Sequence, residues 1–347
     1  MSDYRITEVL PADKTTLAQV DALLQQEGIR RDRNLDCICA MLDESNQVIG
    51  TGSCFGNTLR CFAVSREHQG EGLLNQIITH LIEIQCARGN LHLFLYTKAE
   101  SAKFFEDLGF CEITRVENRL VFMENRPDGF DRYLRGLEAA KTIGKSAAVV
   151  MNANPFTRGH QYLIEKAAAA CDTLHLFVVS EDTSLVPFVV RKKLVAEGVK
   201  HLPNVVLHDS GPYIISNATF PSYFLKDETA VIDGHARLDL AVFTRIAGAM
   251  NITARYVEEE PASQVTGLYN KIMREQLPKA GIDCIVVPRK EANGKAISAS
   301  DVRQCLQSND WDTLKILLPQ TSLDYFRSPE AAPVLERIRK AGNVVHY

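Results

Sequence analysis

No stretch of the 347 residues approaches the roughly 18 consecutive apolar positions that a membrane-spanning helix needs, so no span is expected. The opening residues, MSDYRITEVL, lack the apolar run of a secretory leader. Cationic charge is not in excess either. The 39 lysines and arginines against 43 acidic residues leave a formal net charge of -4. That balance argues against a general binder of nucleic acid or of an anionic membrane, while leaving room for local basic patches. The nine cysteines form no CxxC pair. They sit mostly in apolar company, as in Cys54, Cys61, Cys171 and Cys284, and Cys37-Ile38-Cys39 alternates as one face of a strand would. Reduced thiols, no protein-held metal site and a cytoplasmic setting are the expectations.

What is present is an ordinary globular composition, 46% hydrophobic and 24% charged. The length favours two domains. Residues 1–125 have an α+β pattern: a helix over Leu17 to Gln26, strands near Cys37 to Leu42, Val48 to Phe55 and Leu59 to Val64, and a Gly-rich turn into an apolar-faced helix. A strand over Leu91 to Tyr96, a helix over Ser101 to Leu108 and strands within Cys111 to Phe122 complete it. This order resembles the GNAT acyltransferase family. Gln69, Gly70 and Gly72 lie where that family's pyrophosphate loop holds the pyrophosphate of coenzyme A through backbone N–H groups. The family's third small residue is Leu74 here. Many members also carry a tyrosine, acting as general acid on the departing thiolate, where this chain has Phe105, which has no proton to give. The resemblance therefore implies a domain that binds a CoA-like arm without acting as an acetyltransferase.

Pro127-Asp128-Gly129 and a short amphipathic helix mark a linker over residues 126–144. From residue 145 to 347, short apolar strands alternate with helices. Strands are expected at Ala147 to Met151, Leu174 to Val179, Val205 to His208, Ala230 to Asp233, Thr253 to Val257 and Cys284 to Val287. That alternation predicts a doubly wound parallel sheet, Rossmann-like, with ligands at the carboxyl ends of its strands.

The first of those strands feeds Asn154-Pro155-Phe156-Thr157-Arg158-Gly159-His160, a turn into a helix opening at Thr157 or Arg158. A helix N-terminus offers unpaired N–H groups and the positive end of the dipole to an anion. Gly159 permits close approach, and His160 places an imidazole beside it. Thr157-x-Gly159-His160 resembles the HxGH signature of the nucleotidyltransferase superfamily, with threonine in the first position. Ile297-Ser298-Ala299-Ser300-Asp301-Val302-Arg303 resembles that superfamily's ISxSxxR element. The resemblance implies Asn154, Phe156, Gly159, Ser298 and Ser300 around the nucleotide, with His160, Thr157 and Arg303 as the catalytic set. Ser300 is expected to cap its helix, and Arg303 to face the β- and γ-phosphates. Arg191, beside Lys192 and Lys193, is a further candidate for the phosphates. Asp233-Gly234-His235 is a candidate contact for ribose or metal, and the aromatic stretch Tyr213 to Leu225 a candidate pocket lining.

NANPFTRGHQYLIEKAA, HLPNVVLHDSGPYIISNATFPSYFLKDE and NGKAISASDVR together resemble the citrate lyase ligase family, and the likeness extends over essentially the whole chain. It implies ATP-dependent activation of acetate as acetyl-adenylate, with Mg²⁺ carried mainly by the phosphates. The acetyl group is then passed to the thiol of the phosphoribosyl-dephospho-CoA group on the acyl carrier subunit of citrate lyase, with AMP and pyrophosphate released. Arg30, Arg31 and Arg33 are candidates for contact with an acidic carrier. Three other readings share some of these features: a tRNA cytidine acetate ligase, a plain adenylyltransferase and a non-enzymatic sensor of coenzyme A and nucleotide. The first leaves the N-terminal half unexplained, and the second usually consists of the nucleotide domain alone.

Overall fold

The computed structural model describes residues 4–32, 34–214, 220, 228–259 and 264–341. The chain divides into two compact units. One comprises Met1–Gly129 with Phe220–Leu238, and the other Phe130–Thr219 with Asp239–Tyr347. Residues 220–238, expected with the second domain, thus cluster with the first.

The first unit runs β1 (Arg5–Glu8), α1 (Lys14–Gln26), β2 (Cys37–Leu42), β3 (Val48–Phe55), β4 (Thr58–Val64), α2 (Leu73–Ala87), β5 (Phe94–Lys98), α3 (Ala102–Asp107), β6 (Cys111–Val116) and β7 (Leu120–Glu124). Its seven strands are ordered β1-β2-β3-β4-β5-β7-β6. Only β4 and β5 pair in parallel, and their ladder holds just Thr58↔Phe94 and Leu59↔Leu95. No further rung joins the two strands among the described residues, and β4 continues toward the turn that precedes α2. Cys37 and Cys39 are both buried with Ile38 between them half-buried, the alternation expected of a strand, and their sulfurs lie 3.8 Å apart. Phe105 is 5% exposed and packs against Phe62, Phe104 and Phe110. A residue so placed is part of the core.

The rest of the chain supplies α4 (Gly129–Glu138), β8 (Ser146–Met151), α5 (Arg158–Ala168), β9 (Thr173–Val178), α6 (Phe188–Gly198), β10 (Val205–Asp209), α7 (Glu228–Met250), β11 (Ile252–Glu258), α8 (Gln264–Gln276), β12 (Asp283–Val287), the hairpin β13 (Glu291–Ala292) and β14 (Lys295–Ala296), then α9 (Ala299–Ser308), α10 (Trp311–Leu317), α11 (Gln320–Arg327) and α12 (Ala332–Lys340). The sheet order is β10-β9-β8-β11-β12, with every neighbouring pair parallel. β8 and β9 are buried almost throughout, as strands covered on both faces must be. From β8 the chain winds outward to β9 and β10, then returns to β11 on the other side. The carboxyl ends of β8 and β11 therefore flank the switch point where open sheets of this kind take ligands.

The strand expected at Ala230 to Asp233 is not one. Those residues lie in the first turns of α7. A three-residue apolar run, Ala230-Val231-Ile232, fits either element by itself, and the residues after it decide for the helix. Asp239, Phe243, Ile246 and Met250 recur at helical spacing and are buried. Burial raises the Asp233 pKa, but ion pairs with Arg119 and Arg237 outweigh it and hold the carboxyl below its usual range. The strand expected from Leu91 begins instead at Phe94.

Candidate active site

Thr157 is the N-cap of α5, and its side chain is closed into a reciprocal capping box by His160. The His160 N–H donates to Thr157 Oγ1 at 3.3 Å, and the Thr157 N–H donates to His160 Nδ1 at 3.1 Å. With Nδ1 accepting, the ring proton is assigned to Nε2. The imidazole stacks on Phe156, centroids 6.1 Å apart at 15°, and Phe156 is itself fully buried. A Cβ on Gly198 would come within 2.3 Å of the Phe156 ring, so a glycine is required where α6 passes it. The expected Phe156–nucleotide contact thus becomes a support under His160.

Burial, assisted by the charge of Arg289, pushes the His160 pKa down to about 4. The folded value lies below the ordinary one near 6.5. The unfolded chain therefore binds more protons between about pH 4 and 6.5, and stability falls as pH drops through that window. Above it the group stays neutral, with one N–H to donate. The expected outcome is an acid limb of activity attributable to this residue near pH 4 rather than near 6.5. A pH–rate profile of wild type checks this.

The second motif meets the first. Ser298, not Ser300, caps α9, with its Oγ accepting from the Asp301 N–H at 3.0 Å. The two serines lie two residues apart, and the helix begins two residues earlier than a Ser300 cap requires. Ser300 instead accepts from Arg303 Nη2 at 2.8 Å, while Arg303 Nη1 donates to the Asn154 carbonyl at 2.6 Å. Arg303 is 6% exposed, and its fork ties the loop after β8 to the start of α9. Asn154 also accepts the Val186 N–H on Oδ1, and its buried Nδ2 finds no partner among the described residues. A Cβ on Gly159 would lie 3.3 Å from the Ile297 carbonyl and 3.4 Å from Glu258 Oε1. The amides of Arg158, Gly159, Ala299 and Ser300 have no acceptor among the described residues, so two helix N-termini bring four N–H donors to one crevice.

Arg191 does not join them. It is fully buried, its Nε donating to the Val186 carbonyl at 2.9 Å and its Nη1 to Asn152 and Val179 at 2.7 and 2.8 Å. Nη2 donates to the Glu181 carbonyl. A buried guanidinium is tolerable only when its donors are largely filled, and four of its five N–H groups meet carbonyls. The expected phosphate contact gives way to a brace between the loops after β8 and β9. Lys192 pairs with Asp209 and Lys193 with Glu330.

Glu258, ending β11, and Arg289, two residues past β12, were not singled out from the sequence. The signal was available: in a doubly wound sheet, polar residues at strand carboxyl ends are the first to inspect. Ser322 Oγ, which donates to the Phe156 carbonyl at 3.0 Å, carried no such signal. In the first unit, Gln69, Gly70 and Gly72 are exposed. Gly72 is the N-cap of α2 with φ 77, in the left-handed region that glycine enters without strain. The amides from Gly70 to Asn75 find no acceptor among the described residues. Arg31 is occupied by Asp21, Arg30 is exposed, and Arg33 lies outside the described residues. Tyr213 packs on Phe130 and Tyr133. Phe220 packs on Tyr96 and His235, and the rest of the aromatic stretch beyond Ile214 lies outside the described residues. No group of three or more His, Cys, Asp or Glu suited to a metal occurs among the described residues, and none of their helices is long and apolar enough to cross a membrane.

Sheet order and paired helix N-termini define an α/β domain with two helix starts meeting at its switch point. The family profile of the citrate lyase ligase C-terminal domain matches residues 146–326. A [citrate [pro-3S]-lyase] ligase of Klebsiella pneumoniae is 39% identical over 320 residues, covering 90% of this chain and 93% of that protein. The corresponding Escherichia coli K12 ligase is 36% identical over 329 residues, 93% of each. Among solved structures, a putative acyl-CoA N-acyltransferase from Klebsiella pneumoniae aligns with a TM-score of 0.30 at 19% identity, over 35% of this chain and 96% of that one. A GNAT-family acetyltransferase from Staphylococcus aureus aligns with a TM-score of 0.30 at 16% identity, over 35% and 99%. The chain belongs to the citrate lyase ligase family.

Proposed function

We propose that this protein is an AMP-forming acid–thiol ligase that activates acetate with ATP and acetylates the CoA-like prosthetic thiol on the acyl carrier subunit of citrate lyase. The observation that carries the adenylating half is the meeting of the two helix N-termini, with Gly159 against Ile297 and Arg303 bonded to Asn154. Four unfilled amides and a neutral imidazole suit a triphosphate, whose charge rises as the α-phosphorus is attacked. An acetate oxygen forms the new bond to that phosphorus, and the bond to the bridging oxygen breaks, releasing pyrophosphate. His160 donates through Nε2 to a phosphate oxygen. Gly159 keeps the cradle open, and Arg303 and Arg191 hold the loops that shape it. The residues fit a divalent ion that arrives on the nucleotide rather than one caged by protein. Bound there, Mg²⁺ neutralises phosphate charge.

The second step needs a thiolate to attack the acetyl carbonyl, with AMP leaving. The open ladder between β4 and β5 and the unfilled amides from Gly70 to Asn75 support a site for the pantetheine-like arm in the first unit. Phe105, buried among other rings, offers no acid there. The test is direct. Purified protein with ATP, Mg²⁺ and acetate releases pyrophosphate only when acetate is present, and with deacetylated carrier it yields AMP and acetylated carrier. Absence of AMP would sink the assignment. Gly72→Val strains a left-handed residue at the exposed turn, and is expected to raise the KM for carrier at least about tenfold while sparing adenylate formation. Equal loss in both steps would count against two separate sites.

A further inference from the structure

Glu258 and Arg289 stand where the sheet's ligand edge meets the cradle. Glu258 ends β11, next to β8 in the sheet, and Arg289 follows β12, on the far side of β11. Glu258 Oε2 and Arg289 Nε are 3.8 Å apart, and the two side chains are 19% and 21% exposed. The same carboxylate lies 3.4 Å from where a Cβ on Gly159 would be, against the first turn of α5. A carboxylate at a helix N-terminus is favoured by the same field that favours a bound phosphate. Glu258 therefore sits in surroundings that an incoming anion would also seek, and both negative groups repel one another at this range. Arg289 is the cation that balances either of them. Its charge already reaches His160, where it opposes protonation of the imidazole.

We propose that Glu258 is an internal competitor for the phosphate cradle and Arg289 a direct contact of the polyphosphate, so that the pair sets how tightly ATP enters and how readily pyrophosphate leaves. This deepens the adenylating function and rests on it for the identity of the anion. An arginine fork can grip a carboxylate or a phosphate with the same donors, which allows one residue to serve both partners in turn. A carboxylate that lowers anion affinity keeps product from being held as firmly as a field of bare N–H donors would hold it.

The two partners should respond in opposite directions, which a merely structural ion pair would not do. Binding of inorganic pyrophosphate with Mg²⁺ is measured by titration calorimetry, without turnover. Arg289→Met is expected to weaken it at least about tenfold, as loss of a charge-assisted phosphate contact does. Glu258→Gln is expected to tighten it by about threefold or more. In steady-state assays Glu258→Gln should lower both the KM for ATP and the inhibition constant for pyrophosphate, with kcat reduced by slower product release. Arg289→Lys keeps the charge without the fork and should fall between wild type and Arg289→Met, which preserves the test if the methionine variant folds poorly. Parallel weakening by both substitutions would reduce the pair to a brace and overturn the proposal. So would unchanged binding in both, or failure of wild type to bind pyrophosphate. Opposite shifts in a wild type that releases no acetate-dependent pyrophosphate would instead sustain the pair and overturn the acetate reaction.

Discussion

Replacing His160 by alanine is expected to cut acetyl-adenylate formation by at least ~10²-fold, the usual cost of one preorganised group at a site of developing charge. The substitution removes two things at once. The Nε2 donor disappears, and the Thr157 N–H loses its acceptor in the capping box. The second loss is a stability effect of about 1 kcal/mol, too small to mimic the first. His160→Gln separates them, because an amide can still accept from the cap while presenting its own N–H differently. Acetate-dependent exchange of labelled pyrophosphate into ATP is the measurement. An alanine variant within threefold of wild type would move the phosphate chemistry elsewhere.

The larger effect on stability is expected at Arg191. Arg191→Met keeps much of the side-chain volume but strips donors from the carbonyls of Asn152, Val179, Glu181 and Val186. Each buried acceptor left without a donor costs about 1–3 kcal/mol, so a loss of about 4 kcal/mol or more is expected. Urea unfolding monitored by circular dichroism checks it. If Arg191 served phosphate instead, the variant would unfold like wild type and fail in ATP binding.

The start of α5 was legible in the sequence for a physical reason. Thr157 announces a helix start by its own chemistry, and the strand before it is an apolar run bounded by turn residues. What an arginine fork touches is settled by tertiary structure, so Arg191 and Arg303 were legible as cations near a site and not as clamps on carbonyls. The serines of Ile297-Ser298-Ala299-Ser300 differ by a two-residue shift that composition does not resolve. Asp233 was misplaced because Ala230-Val231-Ile232 has no period of its own, and its neighbours' helical spacing lies further along the chain. Glu258 and Arg289 fell outside any motif. Only the order of strands puts Glu258 beside Gly159 and Arg289 beside Glu258.

The capping box at Thr157 has a consequence for how substrate binding is driven. Freezing a free surface side chain at the moment of binding consumes part of the binding free energy in lost rotamer freedom. The His160 ring is already immobilised when α5 forms, because the bond that starts the helix is the bond that orients the ring. Its ordering is thus charged to folding, where many other contacts share it. On the adenylating function proposed above, a nucleotide would meet a donor with no orientational freedom left to lose, and the cost of aiming it would not appear in the KM for ATP.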